Sequence, residues 1–164
     1  MRIIDKDYGK EKDIEKESRK VGSLPGGWYF ERNGFPYIKI DNSIRYRGDT
    51  PNFPFDMTPV FCLSTSEISF WRGNTVVKTF SPEPSFIFKT KGKIKLKDLT
   101  PLSCFRKRKR DDFPSYYMVA YPFHEMYDKI PAVDLSTGNL IFIDKNINES
   151  VEKVKYEMIN CLIQ

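Results

Sequence analysis

Past the Pro25-Gly26-Gly27 turn, apolar and polar positions alternate with a period of two, the pattern of strands with one buried face. Gly27 to Glu31 reads as the first strand. Asn33-Gly34 is a strong hairpin turn, because both residues tolerate positive φ, and Tyr37 to Ile40 returns from it. Asp41-Asn42 predicts another turn, followed by alternation over Ile44-Arg45-Tyr46-Arg47. Residues 48–59 contain Gly48, Pro51, Pro54 and Pro59, and read as a loop carrying Phe53, Phe55 and Met57. Val60 to Ser64 is an apolar run expected as a buried strand. Ile68, Phe70 and Arg72 alternate with Ser69 and Trp71, and Gly73-Asn74 predicts a second hairpin into Val76 to Phe80. Ser81-Pro82-Glu83-Pro84 reads as a rigid link. Phe86-Ile87-Phe88 opens another strand. Lys91 to Lys97 then alternate strictly, which puts four lysines on one face and Ile94 with Leu96 on the other. Tyr116 to Tyr121 is a further strand. Ala132 to Leu135 and Asn139 to Ile143 form a third hairpin around Ser136-Thr137-Gly138.

The two ends read differently. Residues 1–22 carry seven bases and six acids and few large apolar residues. Glu15 and Arg19 stand four apart, so this segment is expected as a marginal helix or a mobile arm. At the other end Asn148 suits an N-cap, and Glu149 and Glu152 suit a first turn. Val151, Val154, Met158, Cys161 and Leu162 form one helical stripe. No internal repeat is read. The expected fold is a single α+β domain over residues 23–164: a mainly antiparallel sheet built from hairpins, with a C-terminal amphipathic helix packed on it. The alternative is a β-sandwich or partly open barrel with a terminal helix.

The 164 residues are 40% hydrophobic and 15% aromatic, enough for one folded domain with a real core. The three cysteines, Cys62, Cys104 and Cys161, are odd in number and show no CxxC spacing. They are expected as reduced, mostly buried thiols in a cytoplasmic protein. The N-terminus has no signal-peptide pattern, and no apolar run approaches the roughly 18 residues of a spanning helix.

Charge is distributed unevenly. Lys89 to Arg110 hold ten bases and one acid, a local +9 in a chain of +5, which leaves −4 elsewhere. The pentad Arg106-Lys107-Arg108-Lys109-Arg110 is expected as a solvated loop that meets an acidic protein surface or the phosphates of a nucleic acid. The lysines between 91 and 97 also suit an edge strand that must repel other strands. The residues between them are not aromatic, which argues against a base-stacking platform.

Catalytic chemistry has little support. His124 is the only histidine, so mechanisms needing two imidazoles are excluded. His124-Glu125 is the only arrangement resembling a base with an orienting acid. Asp134, Asp144 and Lys145 stand at expected strand ends, in the positions that turns commonly give such residues. No P-loop, GxSxG, GxGxxG or HExxH string occurs. Neither a metal nor a cofactor is expected.

Ala132-Val133-Asp134-Leu135-Ser136-Thr137-Gly138-Asn139-Leu140-Ile141-Phe142 resembles the strand–D-x-x-T-G–strand hairpin of small bacterial toxin-immunity proteins. The resemblance implies a cytosolic inhibitor that binds a cognate toxin and blocks its active site. Inhibitors of nucleases are often acidic, whereas this chain is basic and would need an acidic patch on its target. The expected function is therefore a non-catalytic binding protein acting by steric occlusion. Its expected contact residues are Lys93, Lys95, Lys97 and Arg106 to Arg110, with Phe53 and Phe55 as aromatic anchors. Nucleic-acid binding through residues 89–110 is the alternative; no membrane partner is expected.

Overall fold

The computed structural model describes residues 2–3, 15–41, 57–81, 85–107, 114–122 and 128–159. Among them are thirteen strands. β1 (Arg2–Ile3), β2 (Glu15–Lys20), β3 (Tyr29–Arg32), β4 (Phe35–Lys39), β5 (Met57–Cys62), β6 (Ile68–Arg72) and β7 (Val76–Ser81) come first. β8 (Ser85–Lys95), β9 (Cys104–Lys107), β10 (Ser115–Val119), β11 (Lys129–Asp134), β12 (Leu140–Asp144) and β13 (Ser150–Ile159) follow. Single 3-10 turns, Val21–Ser23 and Leu96–Asp98, follow β2 and β8. One sheet has the order β2-β7-β3-β4-β5-β6, the other β1-β8-β13-β9-β10-β11-β12. All pairings are antiparallel except that of the two-residue β1 with β8.

Setting β1 aside, the two sheets are one arrangement built twice. Each runs strand, 3-10 turn, four-strand meander, and a last strand that returns between the first two. The register repeats as well: Lys20 faces Val76 and Phe30 faces Thr79 in the first half, while Lys95 faces Ser150 and Phe105 faces Lys153 in the second. Turn hydrogen bonds coincide. Ile40 N donates to Pro59 O and Ala120 N to Pro131 O; Leu63 N donates to Pro36 O and Leu135 N to Tyr116 O. The sequence carries the same trace. Pro59-Val60-Phe61-Cys62-Leu63-Ser64-Thr65 continues to Phe70 as Pro131-Ala132-Val133-Asp134-Leu135-Ser136-Thr137 continues to Phe142. The expectation of no internal repeat is thus corrected.

The α+β expectation is overturned too: the described chain is nearly all sheet and contains no α-helix. The segment expected as the C-terminal helix is β13, an interior strand between β8 and β9. Its spacing of Val151 and Val154 imitates a helical stripe. In a strand a spacing of three sends the two side chains to opposite faces. Both faces of this sheet are apolar, so both valines are buried, each in a different core. Residues 15–20, expected in a marginal helix or arm, form β2 and pair with β7. The Asn33-Gly34 turn does connect paired strands, with φ of 53° and 81°. Gly73-Asn74 does not: β6 pairs with β5, and β7 with β2 and β3. A short link between β6, at one end of the sheet order, and β7, next to the other end, requires that sheet to curl. The elements expected over Ile44 to Arg47 and most of the loop 48–59 lie outside the described residues; Met57 opens β5.

The apolar side chains fall into three layers. The central core lies between the sheets, with Tyr29, Ile38, Phe61 and Leu63 from the first and Phe86, Tyr116, Met118 and Leu135 from the second. Each sheet also wraps its outer face around a core of its own. The first encloses Val21, Leu24, Phe30, Val60 and Val77. The second encloses Leu96, Leu99, Phe105, Ala132 and Val151 at the equivalent positions. The stacked pair Phe30–Tyr37 (5.5 Å, 8°) recurs as Phe105–Tyr117 (5.2 Å, 18°).

Reciprocal contacts join the halves. Asp41 N donates to Gly138 O at 3.0 Å, and Tyr121 N, at the equivalent position, donates to Ser66 O at 2.9 Å. The Tyr29 hydroxyl donates to Leu135 O, and that of Tyr156 to the equivalent Leu63 O. Gly138 makes one of these seams possible. A Cβ there would collide with Lys39 O and the Gly27 backbone, and its φ is +74°. Gly34 has a similar φ of +81° but open space around it.

Two outcomes follow for stability. Gly34→Ala should cost about 1–2 kcal/mol through φ alone, and Gly138→Ala a further ~1–3 kcal/mol through overpacking, as read by urea unfolding. Burial pushes the Tyr156 phenol up to about 12, above the roughly 10 of an unfolded tyrosine. The fold therefore favours the protonated form. That contribution is complete below pH ~10 and is lost as pH rises through about 12. Tyr156→Phe should flatten the alkaline fall in stability over that window, measured by unfolding midpoints at several pH values.

Candidate partner-binding surface

The differences between the two halves show what the scaffold does not require. β2, Glu15–Lys20, mixes acids and bases, and Arg19 pairs with Glu17 at 3.0 Å. Its counterpart β8 carries Lys89, Lys91, Lys93 and Lys95, all exposed. Beyond Phe86 no described strand covers the outer edge of β8. The strict alternation expected over 91–97 is broken twice. Thr90 faces Val154 and Lys93 faces Glu152, so two β8 residues oppose Lys153 in a β-bulge, with Gly92 at φ +105°. Lys97 lies in the 3-10 turn, exposed, beyond the strand end. Lys93 and Lys95 thus share a face with Glu152, while Ile94 and Leu96 enter the outer core.

β13 adds lysines that a helix would have scattered. Lys153 and Lys155 follow Val151 on one strand face and are exposed. Lys155 stands directly opposite Lys89. Like charges in a cross-strand pair are destabilising. Among the described residues none of Lys89, Lys91, Lys93, Lys95, Lys153 and Lys155 makes an ion pair. The result is a basic border that wraps both sides of the sheet at β8 and β13. The period-two run Val154, Tyr156, Met158 was the sequence signal for this strand, and with it for Lys153 and Lys155.

The pentad divides. Arg106 is not a free contact residue. Its guanidinium donates to the Glu152 carboxylate across β9 and β13, with side chains 18% and 31% exposed. Hydrogen bonds to Glu152 and Tyr116 outweigh its desolvation and hold it more firmly protonated. Glu31 and Lys78 occupy the equivalent register positions in the first half, with the charges reversed. Lys107 is exposed and approaches Glu149 at 3.9 Å. Arg108 to Arg110 lie outside the described residues, as do Phe53, Phe55, Cys161 and His124. Chain order still places Arg108 to Arg110 in the connection from β9 to β10, where the first half has only the Asn33-Gly34 turn.

Other candidate chemistry resolves into structure. One oxygen of Asp134 accepts from Ser136 N at 2.8 Å, Ser136 Oγ at 2.7 Å and Thr137 N at 3.3 Å, fixing the β11–β12 turn. Asp144 accepts from Asn146 N at 2.9 Å. Burial pushes the Cys104 thiol up to about 12, which keeps it protonated and unreactive at neutral pH. Among the described residues no cluster of His, Cys, Asp and Glu has the makings of a metal site. No helix among them is long and apolar enough to cross a membrane. No protein-family model, curated protein or solved structure matches the chain.

The Arg106–Glu152 pair gives a test of which bases are structural. Arg106→Ala should cost about 1–3 kcal/mol, between the values of exposed and buried pairs. A double-mutant cycle with Glu152→Ala should show coupling above the ~0.5 kcal/mol additivity limit in urea unfolding. Lys107→Ala should stay within about 0.5 kcal/mol of the parent.

Proposed function

We propose that this chain is a non-catalytic binding protein that engages an acidic protein partner through the basic border of β8 and β13. The observation that carries the reading is the placement of Lys153 between β8 and β9, with Lys155 opposite Lys89 of β8. Edge protection accounts for the lysines of β8. It does not account for Lys153, which faces Phe105 of β9 on one side and the bulge of β8 on the other, nor for the like-charged pair of Lys155 and Lys89 on adjacent strands. Their mutual repulsion opposes folding and is relieved when a negative surface covers them. Occlusion of the partner, as in toxin-immunity proteins, is the activity this reading suggests. The aromatic-poor lysine border suits carboxylates better than stacked bases.

Pull-down from native lysate, with and without nuclease, tests this against the triple variant Lys89→Glu, Lys93→Glu, Lys155→Glu. The expected result is a stoichiometric protein that survives nuclease and is lost with the triple variant. Nucleic acid recovered alone and lost on digestion would replace the protein partner with a phosphate backbone. A partner retained equally by the triple variant would remove the border from consideration.

A further inference from the structure

In the first half the mouth of the outer core is closed by Trp71. Its ring meets Tyr37 edge-on at 4.7 Å and Phe30 at 5.9 Å, and the Arg32 guanidinium lies 4.9 Å from the ring centroid. The repeat assigns a counterpart to each of these residues. Phe30 and Tyr37 correspond to Phe105 and Tyr117, and Arg32 to Lys107. Trp71 faces Thr58 one residue before the Pro59–Phe70 pair. Ile143 faces Ile130 one residue before the Pro131–Phe142 pair. Ile143 is therefore the counterpart of Trp71. The aromatic floor and the cation are retained, and the indole is replaced by a smaller side chain.

A cavity of about 210 Å³ lies beside Phe105, Lys107 and Ile143, the counterparts of Phe30, Arg32 and Trp71. Leu96, Phe105, Ile141, Ile143 and Ile147 form its apolar lining, and Lys107, Lys129, Asp144 and Glu149 contribute the charged groups. Its size decides the class of occupant. Cavities for whole small molecules begin near ~300 Å³, whereas about 150 Å³ accepts a benzene ring. The space fits one aromatic side chain. The charges fit an indole in particular: Lys107 can lie against the ring as Arg32 does on Trp71. Asp144 and Glu149 supply carboxylates for the ring N–H, which is a donor only.

We infer that this cavity is a receptor for a tryptophan side chain presented by a protein partner, occupying the place that Trp71 fills within the first half. The partner's being a protein rests on the function proposed above. The pocket itself does not, since it is formed by residues other than the lysines of β8 and β13.

The test uses the full chain and the uncharged probe N-acetyl-tryptophanamide, followed by methyl NMR. Saturable shifts are expected at Leu96, Ile141, Ile143 and Ile147, with none at Val21 or Val60 of the first half. Ile143→Trp should fill the cavity, raise the thermal midpoint and weaken the probe at least about tenfold. Ile147→Trp blocks the mouth from an exposed connection (44% exposed), without changing the β12 packing, and should weaken the probe similarly. Lys107→Ala should weaken it severalfold while leaving stability unchanged. Absence of saturable shifts, parental probe affinity retained by both tryptophan variants, or tighter binding of adenosine at the same methyls would each overturn the inference. The probe is neutral, so its binding is read separately from the response to the lysine reversals. A positive probe result with a failed pull-down would leave the receptor standing and remove only the basic border.

Discussion

Burial of both faces of both sheets is the constraint on which this molecule depends. An antiparallel sheet usually covers one face and leaves the other wet. Here each sheet lays one face on the central core and curls the other around a core of its own. That is why β10 and β11 are buried almost throughout, and why neighbouring residues such as Tyr116 and Tyr117 enter different cores. Removing the central contact would expose Phe61, Phe86 and Met118, each fully buried, on two separate surfaces. The seams at Gly138 and Ser66 follow from the same constraint. Two curled sheets packed back to back bring their turns together, and the backbones must approach closely where they meet.

Duplication separates what the fold needs from what it has been given besides. Positions that build the scaffold agree in kind: Phe30 with Phe105, Tyr37 with Tyr117, Leu63 with Leu135, Leu24 with Leu99. The register positions of Arg106 and Glu152 hold Glu31 and Lys78 in the first half, again one acid opposite one base but in reversed order. Lys89, Lys91, Lys93, Lys153 and Lys155 have no basic counterpart in the first half, the basic run after β9 has only the Asn33-Gly34 turn as its equivalent, and Ile143 stands where the first half has Trp71. They lie in one half, and Lys107 belongs to both the basic stretch and the cavity wall. A partner that places an aromatic residue in the cavity would bring its surroundings close to the β9–β10 connection.

Much of the strand content was legible because local chemistry and tertiary environment agree at those points. Asn33-Gly34 supplies the two positive φ values of a tight hairpin wherever it occurs, and the structure uses them. Asp134 to Gly138 likewise carries its own turn chemistry. The repeat was legible in Pro59 to Phe70 and Pro131 to Phe142, but the connections differ in length between the halves, so no single spacing exposes it. The C-terminal segment was misread because a spacing of three between valines means one face of a helix or two faces of a strand. Only knowledge that both faces would be covered separates the two.

By itself the sequence determined the tight turns, the alternating strands and the concentration of positive charge between Lys89 and Arg110, because these depend on neighbours along the chain. Tertiary structure alone decided that β13 is a strand, that Lys155 faces Lys89, that Arg106 is held by Glu152, and that a cavity lies beside Ile143, the counterpart of Trp71. Each of these depends on contacts between residues tens of positions apart, and it is the burial of a second sheet face that selects among the local conformations the sequence permits.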